Sequence, residues 1–448
     1  MSIIEPVPLS TCVKTRSSSV DATIGRSALR KASLRLLPLI FLGYGINYID
    51  RTNISFASLH MNRDLHFSAS IYGLGAGLFF LTYAAFELPS NLMLVRFGAR
   101  RWLARIMFTW GLLAIGMMFV KTPMQFYAMR LLLGAAEAGF APGVIFYLTL
   151  WFPPAMRAHA VSRFFIAAPL SFAVSGVVAG PLLDLQGHLG LAGWQWLFLV
   201  EGVPAILLSV IFLAYLPNNP AEARWLTDDE RTWIHRQLHS GRTPGAAIQS
   251  DELGRAFRDA RVWLLGLFNA CILCCSFAYT FSAPAIIQKL TGFSITYVGF
   301  IVATMSLFNA LCVILISMHS DRTRERFLHL AIPCLLAATG WIVGGFSTAP
   351  LLAIPAFWVS QICLLSVQPV MFSLPADFLT ARSAAAGIGV ICSVGILGAF
   401  LGPVWMGRMR DLSGSYQLGI VALAGPSLLA SGIIFYLRRQ SRNVRVTI

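Results

Sequence analysis

Charge is what this 448-residue chain has least of: 12% of its residues are Asp, Glu, Lys or Arg, against about 25% in an ordinary soluble domain. Hydrophilic stretches are scarce as well, since only 217–260 interrupts the apolar segments for long. A water-soluble fold is excluded on those grounds, and disorder is excluded because 57% of the chain is apolar. Metal-ligand spacing is missing, because the eight His and eight Cys fall at no ligand-like intervals, which argues against a metal centre and a disulfide framework. Neither a phosphate-binding P-loop nor a G-x-S-x-G elbow occurs, so no nucleotide-driven step, enzymatic nucleophile or cofactor is expected. Residues 1–31 are Ser-rich and lack an apolar h-region, so they are expected to be a disordered tail before an uncleaved first span.

What is present is a series of twelve apolar stretches, from 36–58 to 416–437, most of them near the 20 or so residues that a bilayer-crossing helix needs. The formal charge of +15 comes from 34 Lys and Arg against 19 Asp and Glu. Those cations crowd one side, in Lys14 to Arg35, Arg96 to Arg105, the central loop, Arg322 to Arg326 and Arg438 to Arg445. Such asymmetry is the positive-inside pattern, so the excess reports topology, not nucleic-acid binding, and both termini are expected in the cytoplasm. The reading is an all-α membrane protein with a tail (1–31), a six-helix bundle (32–216), a central loop (217–260), a second six-helix bundle (261–437) and a final tail (438–448). Within the central loop, Thr227-Asp228-Asp229-Glu230 is a capping box that predicts a short amphipathic helix near 228–239, with a breaker at Gly241 to Gly245. Dense small residues at Gly73 to Gly77, Gly134 to Gly139 and Gly395 to Ala399 read first as close helix packing.

A charge near the bilayer centre costs at least about 2.5–3.5 kcal/mol, so each one requires a reason. The candidates are Asp50, Arg51, Glu87, Arg130, Glu137 and Glu201, all in the first half. Tyr44, Asn47 and Arg51 share a helix face, and Tyr83 and Glu87 are an i, i+4 pair. Arginine keeps its proton whereas a buried carboxyl can gain or lose one, which divides the labour. Arg51 and Arg130 would hold an anion, preferably a carboxylate, while Asp50 and Glu137 would bind and release protons. Ion pairs Asp50–Arg51 and Arg130–Glu137 that only fix packing are the competing reading. Glu201 reads as structural, and Glu87 stays unassigned. The second half offers Asn269, Tyr279, Asn309, Gln361, Ser366, Gln368, Cys392 and Ser393, with Gln361 the substrate candidate.

The two halves, the central loop and the paired arginine-rich loops Leu94 to Arg101 and Ser320 to Arg326 resemble the major facilitator superfamily. More narrowly, Tyr48 to Asn53, Phe86 to Asn91, Arg130 to Phe140, Trp196 to Gly202 and Leu216 to Pro220 are similar to the anion:cation symporter family, with its tartrate, phthalate, hydroxyphenylacetate and galactonate permeases. That resemblance implies two pseudo-symmetric bundles and proton coupling through Asp50 and Glu137. It places Arg51, Tyr83 and Arg130 around the substrate carboxylate; the residue reading itself adds Tyr44, Asn47 and Gln361 as further contacts. Arg96, Arg100, Asp321 and Arg322 would act in gating. Two departures stand out: Val95 replaces an acidic residue of the first loop, and Cys392 to Ala399 lacks both asparagines of the usual helix 11 motif. Fewer hydrogen-bonding groups there favour an aromatic or sparsely hydroxylated acid. The expected function is proton-coupled uptake of a small organic acid across a bacterial inner membrane by a single copy, with anion exchange or carboxylate sensing without transport as alternatives.

Overall fold

In the computed structural model, which describes residues 9–239, 257–323, 325–379 and 381–446, the regular structure is helical. The first half comprises α1 (Leu9–Asp64), α2 (Ala69–Phe97), α3 (Ala99–Gly116), α4 (Pro123–Glu137), α5 (Phe140–Thr149), α6 (Pro154–Phe165), α7 (Ala167–Leu183) and α8 (Gly193–Tyr215). A short α9 (Asp228–His239) follows. The second half comprises α10 (Ala260–Thr291), α11 (Ile295–Thr323), α12 (Phe327–Phe346), α13 (Pro350–Met371), α14 (Ala381–Ser413), α15 (Gln417–Ala422) and α16 (Ala424–Val446). Among the described residues, twelve segments are long and apolar enough to cross a membrane, as the sequence predicts. Helix is the expected solution, since a helix satisfies its own backbone where lipid offers no partner.

Local chemistry sets the helix ends. Ser68 caps α2 by accepting from the Ile71 N–H, and Thr122 caps α4 by accepting from Gln125, with Pro123 at the first helical position. The fourth span is broken between α4 and α5, where Gly139 takes φ +86°. Only glycine suits that conformation, and an added Cβ would lie 2.3 Å from Ser90 Oγ. The break leaves Glu137 as the last residue of α4. Small residues seat the helices closely: a Cβ on Gly134 would meet Phe79 O of α2 at 2.1 Å.

The halves meet at the end of the molecule farthest from α9. Asp411 accepts from the Ala69 and Ser70 N–H groups at 3.0 and 2.8 Å, gripping the start of α2 from the end of α14. Tyr72 donates its hydroxyl to Phe281 O at 2.9 Å. Backbones touch where Gly299 faces Gly176 O, a separation that would leave a Cβ only 1.8 Å away. That distal end is therefore closed.

At the opposite end the expected disordered tail is corrected over residues 21–31, which continue α1 as helix. Their partner is α9. Glu230 accepts from Ser27 Oγ at 2.7 Å and pairs with Lys31 Nζ at 2.8 Å, and Arg236 reaches Asp21 at 3.3 Å. Ala28, Ala32 and Ile234 are fully buried, and Arg35 lies 5.2 Å over the Trp225 ring. A docking face contributed from 199 residues away is invisible to local composition. The capping box forms as predicted, with Thr227 Oγ1 accepting from Glu230 N and Glu230 Oε2 accepting from Thr227 N. Desolvation works against the Glu230 anion, yet hydrogen bonds from Lys31, Ser27 and Thr227 hold its carboxyl below the ordinary 4.5. The Gly241 to Gly245 breaker lies outside the described residues.

Candidate functional site

The polar stripe of α1 meets the broken end of α4. Asn47 and Asp50 are each 1% exposed, and the Arg51 side chain is 12% exposed. Arg51 Nη2 donates to Glu137 Oε2 at 3.1 Å and to Asn47 Oδ1 at 3.4 Å. Asn47 Nδ2 donates to the same Glu137 oxygen at 2.8 Å. The Asp50 carboxyl meets that of Glu137, and Asp50 Oδ2 and Glu137 Oε1 have no hydrogen-bond partner. Two adjacent carboxyls with one free oxygen apiece form an arrangement that a single proton completes.

Arg130 is fully buried on α4 but pairs with no carboxylate among the described residues. Its donors reach the carbonyls of Gly75 at 3.3 Å and Ala76 at 3.4 Å. Its guanidinium sits 4.8 Å from the Phe79 ring centre, and that of Arg51 sits 5.3 Å from the same ring and 4.9 Å from Tyr83. Phe79 thus holds both cations by cation–π attraction. The packing-only pairs Asp50–Arg51 and Arg130–Glu137 do not form; the pair that forms is Arg51–Glu137. Geometry explains the exchange. Adjacent residues on one helix point about 100° apart, and Arg130 and Glu137 are separated by roughly 10.5 Å along α4.

Of the remaining expected contacts, Tyr83 joins this cluster, stacked on Phe79 at 5.8 Å. Tyr44 instead packs its ring on Phe164 at 4.2 Å and on Phe165, forming an aromatic wall beside Arg51. Phe79 was not among the sequence candidates, although its i, i+4, i+8 register with Tyr83 and Glu87 was the available signal. Glu87 is half-buried and faces the second half, within electrostatic reach of Arg51 and of Cys392 on α14.

The second half brings amides and aromatics. Gln361 is buried, donates to Thr280 Oγ1 at 3.2 Å and keeps its Oε1 unpartnered. Asn269 is taken up by Ile391 O at 3.2 Å, and Tyr279 packs between Trp341 and Phe357. Ser393 turns its hydroxyl onto its own helix at Gly389 O. The gating candidates are scattered. Arg100 ties α3 to α8 through Asn218 and Leu213 O, Arg96 lies over Phe97, and Arg322 lines a cavity of about 430 Å³ with His319 and His329. The Asp321 side chain lies outside the described residues.

Comparison with known proteins relates the chain to a family and a fold. Residues 40–403 match the family model described as Major Facilitator Superfamily. An Agrobacterium vitis protein named "Putative tartrate transporter" is 41% identical over 413 residues, covering 92% of each chain. A "Quinolone resistance transporter" of Acinetobacter baumannii is 35% identical, covering 94% of this chain and 98% of the other. Among solved structures, a bacterial homolog of the human lysosomal transporter Spinster, inward-facing and unoccupied, superposes with a TM-score of 0.77 at 18% identity, over 90% of this chain and 96% of that one.

Proposed function

The chain belongs to the major facilitator superfamily as a multi-pass membrane transporter, and from that premise we propose that it is a proton-coupled symporter of an organic carboxylate. The observation that carries the reading is the pair of guanidiniums on Phe79, one held by Glu137 and the other, Arg130, held only by backbone carbonyls. Permanent buried cations arranged this way suit an anion with a planar carboxylate.

Coupling follows from competition for Arg51. Ionised Glu137 occupies that guanidinium at 3.1 Å; protonated, it relinquishes it. The freed fork then takes the substrate carboxylate while Arg130 supplies the second charge. Asp50, against Glu137, shares the arriving proton. Either the proton or the anion alone leaves an uncompensated charge in a low-dielectric site, so the two cross together. With the distal end closed, the structure corresponds to the cytoplasm-facing state if the basic side lies in the cytoplasm of a bacterial inner membrane. One copy contains every residue the scheme uses. The tartrate-transporter name of the relative supports a small carboxylic acid as cargo, and the sparse hydroxyl partners on α14 favour few substrate hydroxyls.

The test uses the purified chain in proteoliposomes, with labelled tartrate and aromatic acids as probes and an imposed pH gradient. Glu137→Gln is expected to lose pH-driven accumulation by at least about tenfold while tracer counterflow, which moves no net proton, persists. Accumulation by the wild type that ignores a collapsed gradient would instead identify an anion exchanger.

A further inference from the structure

Glu201 is used by none of the contacts above, yet it is only 6% exposed and both its carboxyl oxygens lack a hydrogen-bond partner. It stands on α8, where the next residue, Gly202, is pressed against Gly111 of α3 with room for no side chain. Glu201 itself lies against Asn53 of α1. Asn53 is 1% exposed and its Nδ2 is also unpartnered. Three residues earlier on the same face comes Asp50, within electrostatic reach of Glu201 and in contact with Glu137. Glu201, Asn53, Asp50 and Glu137 therefore form one buried row, each with at least one polar atom left open.

The row has a direction. Trp194 near the start of α8 donates to Asp64 Oδ2 at the end of α1, at the distal end of the molecule. Glu201 lies seven residues along α8 from that bond, roughly 10.5 Å, whereas Asp50 lies fourteen residues along α1 from it, roughly 21 Å. Glu201 is thus the acid nearer the distal surface. Among the described residues no cation forms a salt bridge with it and its neighbour Asn53 is a neutral amide, so an ionised carboxylate there is costly and a carboxylic acid is not. Packing alone does not require an acid in this place.

We propose that Glu201 is a proton-relay residue, the outer station through which protons from the distal side reach the Asp50–Glu137 pair. The carboxylic acid of Glu201 gives its proton to the Asp50 carboxylate, becoming the carboxylate itself. It regains a proton from water on the distal side when that end opens. Asn53 orients the Glu201 carboxyl toward α1. The inference rests on the symport reading above and adds a third proton-bearing group to it.

Two readouts on the full-length purified chain test it. Infrared difference spectra over a pH titration need no substrate: Glu201→Gln should remove one protonated-carboxyl component at neutral pH and alter the one assigned through Asp50→Asn and Glu137→Gln. In proteoliposomes given external labelled tartrate, Glu201→Gln should slow pH-driven accumulation about tenfold and shift its pH profile, with counterflow into tartrate-loaded vesicles reduced far less, and Glu201→Asp should restore the response. A spectrum and a pH profile both identical to wild type would overturn the relay. If the wild type itself ignores the pH gradient, the symport reading fails, while the infrared arm still decides whether Glu201 carries an exchangeable proton. Should Glu201→Gln not reach the membrane, the infrared arm runs on Glu201→Asp, where a protonated-carboxyl spectrum identical to wild type would overturn the proposal.

Discussion

The two halves of this transporter hold different chemistry at the same depth. In the first, Asp50, Arg51, Arg130, Glu137 and Glu201 are buried within or beside one cluster; in the second, the described residues there are amides, hydroxyls and aromatic rings such as Gln361, Thr280 and Tyr279. On the symport proposal, charge neutralisation is confined to one bundle, whose helices would keep their mutual geometry as it moves. The other bundle is then free to grade cargo by shape and hydrogen bonding without carrying the electrostatic penalty.

That division can be broken most severely at Arg130. Arg130→Ala should reduce uptake by at least about a hundredfold, because it removes a desolvated charge partner, while membrane insertion measured by surface labelling is retained. Normal uptake would remove Arg130 from the site. A smaller effect is expected in the second half: Gln361→Leu should raise the KM for hydroxylated acids about tenfold, while the proton dependence of uptake stays that of the wild type. A shifted pH profile in Gln361→Leu would dissolve the contrast between the halves. The smallest effect lies outside the membrane. Because the carboxyl of Glu230 is held below 4.5, its contribution to the α1–α9 contact is complete above that pH and is lost as pH falls through the lower bound value. Hydrogen exchange in α9 should accelerate on acidification below about 4.5, and Glu230→Gln should flatten that dependence; an unchanged dependence would assign it to other groups.

Much of this was legible in the residue order. Span number, the six-plus-six division, α9 and its capping box followed from hydropathy and from Thr227 and Glu230, which are local signals. So did the membership of the charged cluster, since an acid or arginine within an apolar run is too costly to persist there without a use. Pairing was not legible. Arg51 meets Glu137 because Gly139 breaks the fourth span and leaves Glu137 at a helix end, an outcome that depends on where Ser90 packs. Phe79 carries no charge to single it out in the sequence, yet two guanidiniums lie on its ring. The helical course of residues 21–31 depended on α9, which no window around them contains.

The α1–α9 contact also has a bearing on biosynthesis. Lys31 and Glu230 are 199 residues apart, so at roughly 5–20 residues per second the ribosome delivers the second partner about 10–40 s after the first. Through that interval the amphiphilic beginning of the chain has only chaperones, translocon or lipid headgroups for company. Its docking on α9 marks the moment when the leading bundle has emerged entirely.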